Sequence, residues 1–268
     1  MTEEEYTRWR CDTVNATAGD LDKRDGYNCS KCMNRGYISV PRYSEQYKYW
    51  YEVQKDCECQ KVRKAIARLS RSGLKNIIKD YTFDKYEAKE NWQAILKKKA
   101  IEFTQSHNGA WFFIGGQSGA GKTHICTAIA GYFLTHGLDV KYMLWRDDVT
   151  KIKSSITDAT KYEELITSYK TASVLYIDDL FKNGKDQNGN VQRPTGADVQ
   201  VAFEILNYRY NNKDLITIIS SERTIQALVD IDEAVGGRIS EKAVQNGFGF
   251  NLKEDMSKNY RLKNIAEL

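Results

Sequence analysis

Residues 115–124 read GGQSGAGKTH, and few decapeptides restrict a fold so strongly. Gly116, four spacers, then Gly121, Lys122 and Thr123 form the pattern G-x-x-x-x-G-K-[ST], a phosphate-cradling loop between a strand and a helix. Both flanks are present. The apolar run WFFI (111–114) reads as a buried parallel strand, and Ile125, Ile129 and Phe133, with Ala128 and Ala130, read as a helix packed on a sheet. The backbone of Gly116, Gln117, Ser118, Gly119, Ala120 and Gly121, with the helix start at Lys122, Thr123 and His124, is expected to hold the phosphates of ATP. Lys122 is expected to reach the β- and γ-phosphates and the Thr123 hydroxyl to ligate Mg2+. The loop says nothing of what the energy is for, since kinases, helicases, motors and switches share it.

Fifty residues downstream, VLYIDD (174–179) is an apolar strand ending in two carboxylates. Asp178 at the strand end is expected to bind the magnesium through water, and Asp179 to polarise the attacking water. A second acid distinguishes hydrolysis by water from transfer to a substrate. A further strand, LITIIS (215–220), ends in Ser221, Glu222 and Arg223, where Glu222 occupies the position of a γ-phosphate sensor. In DIDEAVGGRISE (230–241), Arg238 suits a finger reaching a neighbouring subunit's nucleotide, the alternative being a surface arginine pairing with local acids. VKYMLW (140–145) and FGFNL (248–252) complete five strands separated by helical segments. The fold class is therefore α/β, a mostly parallel five-stranded sheet with helices on both faces.

The first seventy residues follow another logic. Cys29 and Cys32, then Cys57 and Cys59, form two close pairs that suit a four-thiolate Zn2+ site better than disulfides. Aliphatics are scarce there, and so short a segment rarely builds a sufficient core alone. A structural zinc supplies roughly 10–16 kcal/mol of folding free energy in small domains. Cys11 belongs to neither pair, and Cys126 reads as a buried helix residue. Between the pairs, YISVPRYSEQYKYWYE (37–52) carries six aromatics, read first as packing of the small module, then as a partner surface, then as a base-stacking surface. KVRKAIARLSRSGLKN (61–76) places Val62, Ile66 and Leu69 at helical spacing, with Gly73 as the stop.

The net charge of +4 conceals a basic band: residues 61–100 hold twelve Lys and Arg against four Asp and Glu. Such a band faces nucleic acid or forms a solvated helical surface. Only Pro41 and Pro194 occur, so no Pro-rich linker marks a boundary; Lys182–Gly196 reads as a long mobile loop. No run reaches the eighteen or so apolar residues of a bilayer span, and the acidic start MTEEEYTRWRCD is unlike a secretory signal. The expected setting is cytoplasmic, with no membrane partner. Two domains are expected, a zinc module over 1–70 and an ATPase over 71–268.

On GGQSGAGKTH, VLYIDDLF, IISSERTI and DIDEAVGGRIS, the chain resembles AAA+ ATPases of the DnaC/DnaI helicase-loader type, a clade that also holds IstB-type transposition helpers and DnaA-type initiators. The lead-in Tyr81-Thr-Phe83 is similar to the segment that lies near adenine, which makes Phe83 a nucleotide contact. The resemblance implies that the N-terminal module binds a hexameric DnaB-type replicative helicase. It implies that the ATPase domains self-assemble through ATP interfaces and hold single-stranded DNA. Helices between the second strand and VLYIDD are the implied DNA element, with Lys151, Lys153, Lys161 and Lys170 as phosphate contacts. Only 46 residues follow Glu222, too few for an initiator's separate DNA-binding domain, and Arg261 is the one candidate second-sensor arginine. The cysteine module favours a loader over an IstB-like regulator of transposition on duplex DNA. Glu222 is longer than the Asn or Asp commoner at that position in the family, which implies slow, switch-like hydrolysis.

Overall fold

Alternate residues along each apolar strand enter opposite cores, which is how runs such as WFFI and VLYID are buried on both faces. The computed structural model describes the chain except residues 75, 76, 106, 183, 185–191, 254, 256–258 and 260–268, together with the side chains of 65, 68, 69 and 71. Arg261 and most of the segment 182–196 therefore lie outside the described residues. The described chain forms two units, Met1–Arg68 and Leu69–Leu268.

The first unit holds helices α1 (Glu3–Asn15) and α2 (Leu21–Asp25), an antiparallel hairpin of β1 (Tyr37–Ser44) and β2 (Tyr49–Asp56), and the start of α3 (Cys59–Ser72). Thr2 and Glu5 close α1 with a reciprocal capping box. The helix is fixed to the hairpin by polar contacts: Asn15 Oδ1 accepts from the Ser39 N–H at 2.9 Å, and its amide donates to the Ser39 carbonyl at 2.8 Å. Among the described residues of this unit, the buried apolar side chains are Cys11, Cys29, Cys32, Cys57 and Cys59 alone. No aliphatic core holds it together. Packing does not account for the aromatics between Tyr37 and Tyr51 either: none is buried, and Tyr43, Tyr47 and Tyr49 are exposed.

The second unit contains β3 (Trp111–Gly116), β4 (Val140–Leu144), β5 (Val174–Asp178), β6 (Ile216–Ser220) and β7 (Gly249–Leu252), all parallel, in the order β4-β5-β6-β3-β7. The α/β expectation holds. Phe112, Ile114, Val174, Tyr176, Ile216 and Ile218 face one core with α4 (Asn91–Gln105) and α5 (Lys122–Thr135). Trp111, Phe113, Leu175, Ile177 and Ile219 face the other. That second face is covered by α6 (Trp145–Ser154), α7 (Ala159–Lys170), α8 (Gly196–Tyr210), α9 (Ile225–Ile231) and α10 (Glu233–Ile239). Trp145, read as the end of a strand, instead opens α6 and is fully buried against Phe181.

Arg209 of α8 is a buried cation that the sequence did not announce. Its guanidinium donates to the carbonyls of Tyr169, Lys170 and Ala172 at 2.8–3.1 Å, to Ile216 O at 2.6 Å and to Thr217 Oγ1 at 2.9 Å. It thereby satisfies the C-terminal carbonyls of α7 and ties them to β6. Burial pulls it down to about 9, so it stays charged at neutral pH. Arg209→Met fills the space but orphans these acceptors, each worth roughly 1–3 kcal/mol when buried. A loss of about 3 kcal/mol or more is expected in denaturant unfolding from the orphaned acceptors; a variant as stable as the parent removes the clamp.

Candidate functional site: a phosphate loop at the sheet's switch point

The chain leaves β3 for the far edge strand β4, returns through β5 to β6 beside β3, then crosses over β3 to β7 on its other side. Ligands of open parallel sheets sit outside the carboxyl ends of strands at such a reversal. The ends of β3, β6 and β5 are neighbours there. The ten residues 115–124 leave β3 and enter α5. Gly116 has φ +101°, and a β-carbon on it would lie 2.0 Å from the Leu252 carbonyl oxygen. Only glycine fits. Gly119 and Gly121 also take positive φ, and Gly121 caps α5; backbone of this kind forms concave nests of N–H groups that take anions.

A cavity of about 190 Å³ opens over the loop, lined by Tyr81, Ser118, Gly119, Gly121, Lys122, Thr123, His124, Asp179, Lys182 and Glu222. Lys122 Nζ folds back on the loop, donating to Gly116 O at 2.9 Å and Gln117 O at 2.7 Å. Burial lowers its ammonium below the usual value, against the fields of Glu222 and Asp179. Thr123 Oγ1 donates to Asp178 Oδ1 at 3.3 Å; the Tyr142 hydroxyl donates to Oδ2 at 3.0 Å, and Ser220 Oγ donates to Oδ1. A hydroxyl and a carboxylate so disposed are the hard oxygen donors that suit magnesium. The Tyr142 phenol is pushed well up by burial and by Asp178, and stays a donor.

The turn after β5 is held by the end of β6. Asp179 and Phe181 both take left-handed φ, +58° and +57°. Ser220 Oγ accepts the Asp179 N–H at 3.0 Å, Leu180 N–H donates to Ser220 O at 2.9 Å, and Ser221 Oγ donates to Leu180 O at 2.8 Å. A backbone placed in this region persists only when its surroundings over-determine it. It aims the Asp179 carboxylate into the cavity, where Lys182 is its partner. Lys182 Nζ lies 2.8 Å from Asp179 Oδ2 and 3.0 Å from Glu222 Oε1. Burial works to lower the Lys182 ammonium, but the two carboxylates overcome it and raise the group. Burial likewise works to raise the Glu222 carboxyl, and Lys182, Ser118 and Lys122 hold it below its usual value.

The lead-in differs in detail from expectation. Phe83 packs half-buried on the α4–α5 core, and Tyr81 is the ring that lines the cavity. Tyr81 lies 5.0 Å from the His124 ring and Tyr86 lies 5.2 Å from it, edge-on. Nε2 of His124 donates to the Thr82 carbonyl at 2.8 Å, and burial keeps the imidazole neutral by lowering it.

The outlying candidates do not gather here. Arg238 lies on α10, donating to Ala234 O and Asn207 Oδ1 and stacking over Phe203 at 4.9 Å and Tyr210 at 5.3 Å. Its partners are a carbonyl, an amide and rings, not the local acids of the alternative reading. Lys151 pairs with Asp148, Lys153 with Asp198 and Lys170 with Glu204, at 2.8, 2.6 and 2.6 Å. Lys170 is mostly buried as well, whereas Lys151, 66% exposed, and Lys161 stand at the surface.

In the first unit, Cys29, Cys32, Cys57 and Cys59 put their Sγ atoms within 4.8 Å of one another, and none is in a disulfide. The Cys29–Cys57 and Cys32–Cys59 separations are 3.9 and 3.6 Å. Sulfurs at the corners of a tetrahedron with bonds of about 2.3 Å stand about 3.8 Å apart. The four thiols fit a metal. Gly36 N–H donates to Cys32 Sγ at 3.2 Å, and Arg63, whose guanidinium grips both Asp25 oxygens at 2.6 Å, backs the cluster with positive charge.

Residues 77–245 match the model of the bacterial DnaA ATPase domain. The chain belongs to that family. It therefore carries an AAA+ ATPase domain. It is 33% identical over 228 residues to the phage-like element PBSX protein XkdC of Bacillus subtilis, across 80% of this chain and 79% of that protein. It is 25% identical to the replicative helicase loader DnaC of Buchnera aphidicola, over 42% of this chain and only 47% of that protein. Its fold matches a crystal structure of the DnaC helicase loader with a TM-score of 0.53 at 20% identity, covering 66% of this chain and 98% of that one. No helix among the described residues is long and apolar enough to cross a membrane.

Proposed function

We propose that this chain is an ATP-switched loader that binds a DnaB-type replicative helicase through its cysteine-held unit and delivers it to single-stranded DNA. The observation that carries this reading is the clasp of Lys182 across Asp179 and Glu222 in a site otherwise complete for ATP. The loop amides and Lys122 hold the triphosphate, and Thr123 and Asp178 hold the magnesium, which neutralises phosphate charge when bound. Asp179 is the carboxylate placed to orient water, and Glu222 reads the γ-phosphate. A carboxylate engaged by an ammonium at 2.8 Å is a poor proton acceptor, so turnover waits until the clasp opens. That suits a switch. Similarity to a protein named replicative helicase loader supports the partner. The thiol geometry supports zinc as the metal of the first unit. Arg238, held on two aromatic rings, serves as the finger toward a neighbouring subunit's nucleotide.

Lys182→Ala is expected to raise basal ATP turnover by roughly tenfold, the worth of one hydrogen bond to a charged group, with ATP affinity little changed. A steady-state ATPase assay decides; a fall in turnover would assign Lys182 to the phosphate instead. The loader reading itself is tested on circular single-stranded DNA, which offers a ring helicase no end to thread. ATP-dependent appearance of the helicase on the circle is expected. No transfer, with ATP-dependent filaments on duplex DNA instead, would favour an IstB-like regulator of transposition.

A further inference from the structure

The hairpin of the first unit has one face in use and one open. Its register sets Tyr37, Ser39, Pro41 and Tyr43 opposite Asp56, Gln54, Glu52 and Trp50, on one face. This face takes α1: Arg10 pairs with Glu52, Arg8 stacks over Trp50, and Asn15 bonds the Ser39 backbone. The other face sets Ile38, Val40, Arg42 and Ser44 opposite Lys55, Val53, Tyr51 and Tyr49. Only Ile38 at its end reaches the cysteine cluster.

The charges are sorted between these faces. Both strand acids, Glu52 and Asp56, lie on the α1 face. The open face carries Arg42 and Lys55 and no carboxylate at any of its positions, and neither cation is in an ion pair among the described residues. Along it runs a row of rings: Tyr51 and Tyr49 have centroids 5.6 Å apart, and Tyr47 in the turn continues the row at 6.3 Å and is 68% exposed. Arg42 sits directly across from Tyr51. Rings in series flanked by unpaired cations match a polyanion whose units have stackable faces, because stacking is blind to base identity while Lys and Arg neutralise the backbone.

We propose that this open face of the hairpin is a stacking platform for single-stranded DNA, separate from the ATPase unit. Tyr47, Tyr49 and Tyr51 take successive bases, and Arg42 and Lys55 take the flanking phosphates. The inference goes beyond the loader reading.

The test uses the full chain and an iododeoxyuridine-substituted oligothymidylate, photo-crosslinked and mapped by peptide mass spectrometry, alongside fluorescence anisotropy. Crosslinks at Tyr47, Tyr49 or Tyr51 are expected. Tyr49→Ala with Tyr51→Ala is expected to weaken binding at least tenfold, whereas Tyr49→Phe with Tyr51→Phe retains it. Arg42→Ala with Lys55→Ala is expected to flatten the salt dependence by about 1.4 units of log–log slope, about 0.7 for each single-strand phosphate contact. Bound metal and ATP turnover, unchanged in every variant, report an intact fold. Crosslinks confined to residues 69–268 with no loss in the Ala variants overturn the platform. Loss of helicase capture with DNA affinity intact would make the face a protein interface, overturning this inference while leaving the loader reading standing.

Discussion

Lys122→Ala is expected to weaken ATP binding by about two to three orders of magnitude, the size of losing one partner of a desolvated charge pair. Lys122 is buried at the mouth of α5, and its ammonium already bridges the Gly116 and Gln117 carbonyls. That arrangement carries the charge over the loop, next to the backbone of the positive-φ glycines. A triphosphate exchanges two neutral acceptors for charged oxygens, and charge-assisted bonds are roughly twice as strong as neutral ones. The variant loses these contacts but not the cradle itself, since Gly116 is fixed by its approach to Leu252 and not by the lysine. The stability of the ATPase unit therefore changes little. Titration with a fluorescent ATP analogue checks both points, and unchanged affinity would remove Lys122 from the phosphate site.

Cys32→Ser is expected to unfold the first unit and release its metal. The four thiols are four of the five apolar side chains that this unit buries among its described residues, and no aliphatic cluster replaces them. Cys32 is fully buried, accepts the Gly36 N–H and contacts Cys59 at 3.6 Å. Serine there leaves three sulfurs and a hard, poorly ionised oxygen. Structural zinc contributes about 10–16 kcal/mol of apparent binding free energy in small domains, as much as the roughly 5–15 kcal/mol of net stability of a whole domain. Elemental analysis of the purified chain is expected to give one zinc before the substitution and none after it, with hairpin signals lost from nuclear magnetic resonance spectra. The ATPase unit continues to bind nucleotide. A metal-free parent chain with an ordered hairpin would end this account.

The parallel sheet was legible because its strands are short apolar runs between turn signals, and two-sided burial leaves that mark in any sequence. The loop and the acid pair were legible for another reason: strand ends at a switch point are where such residues converge, and Lys122, Thr123, Asp179 and Glu222 do line one cavity. What holds them there was not. Ser220 ties Asp178 and Asp179 together across two strands 42 and 41 residues apart, and Tyr142 reaches Asp178 from a third. Only the strand order makes these residues neighbours. Lys182 lay at the edge of a Gly- and Asn-rich stretch and read as loop, although a cation three residues past an acid pair, in a turn, was the available signal. Three lysines of α6 and α7 have carboxylate partners, Asp148, Asp198 and Glu204, two of which only the fold brings near. The aromatics of the hairpin read first as packing because the unit is small; thiols fill its buried centre, and three of the six rings are half-buried and three exposed.

The central claim is a switch that grips a helicase. Mass photometry of the chain mixed with the replicative helicase of its own replication system, in ATP and in ADP, tests it most directly. The account predicts a complex that needs the cysteine-held unit, so that it is lost in Cys32→Ser, and whose population differs between the two nucleotides. Free helicase and free chain in both nucleotides would contradict it.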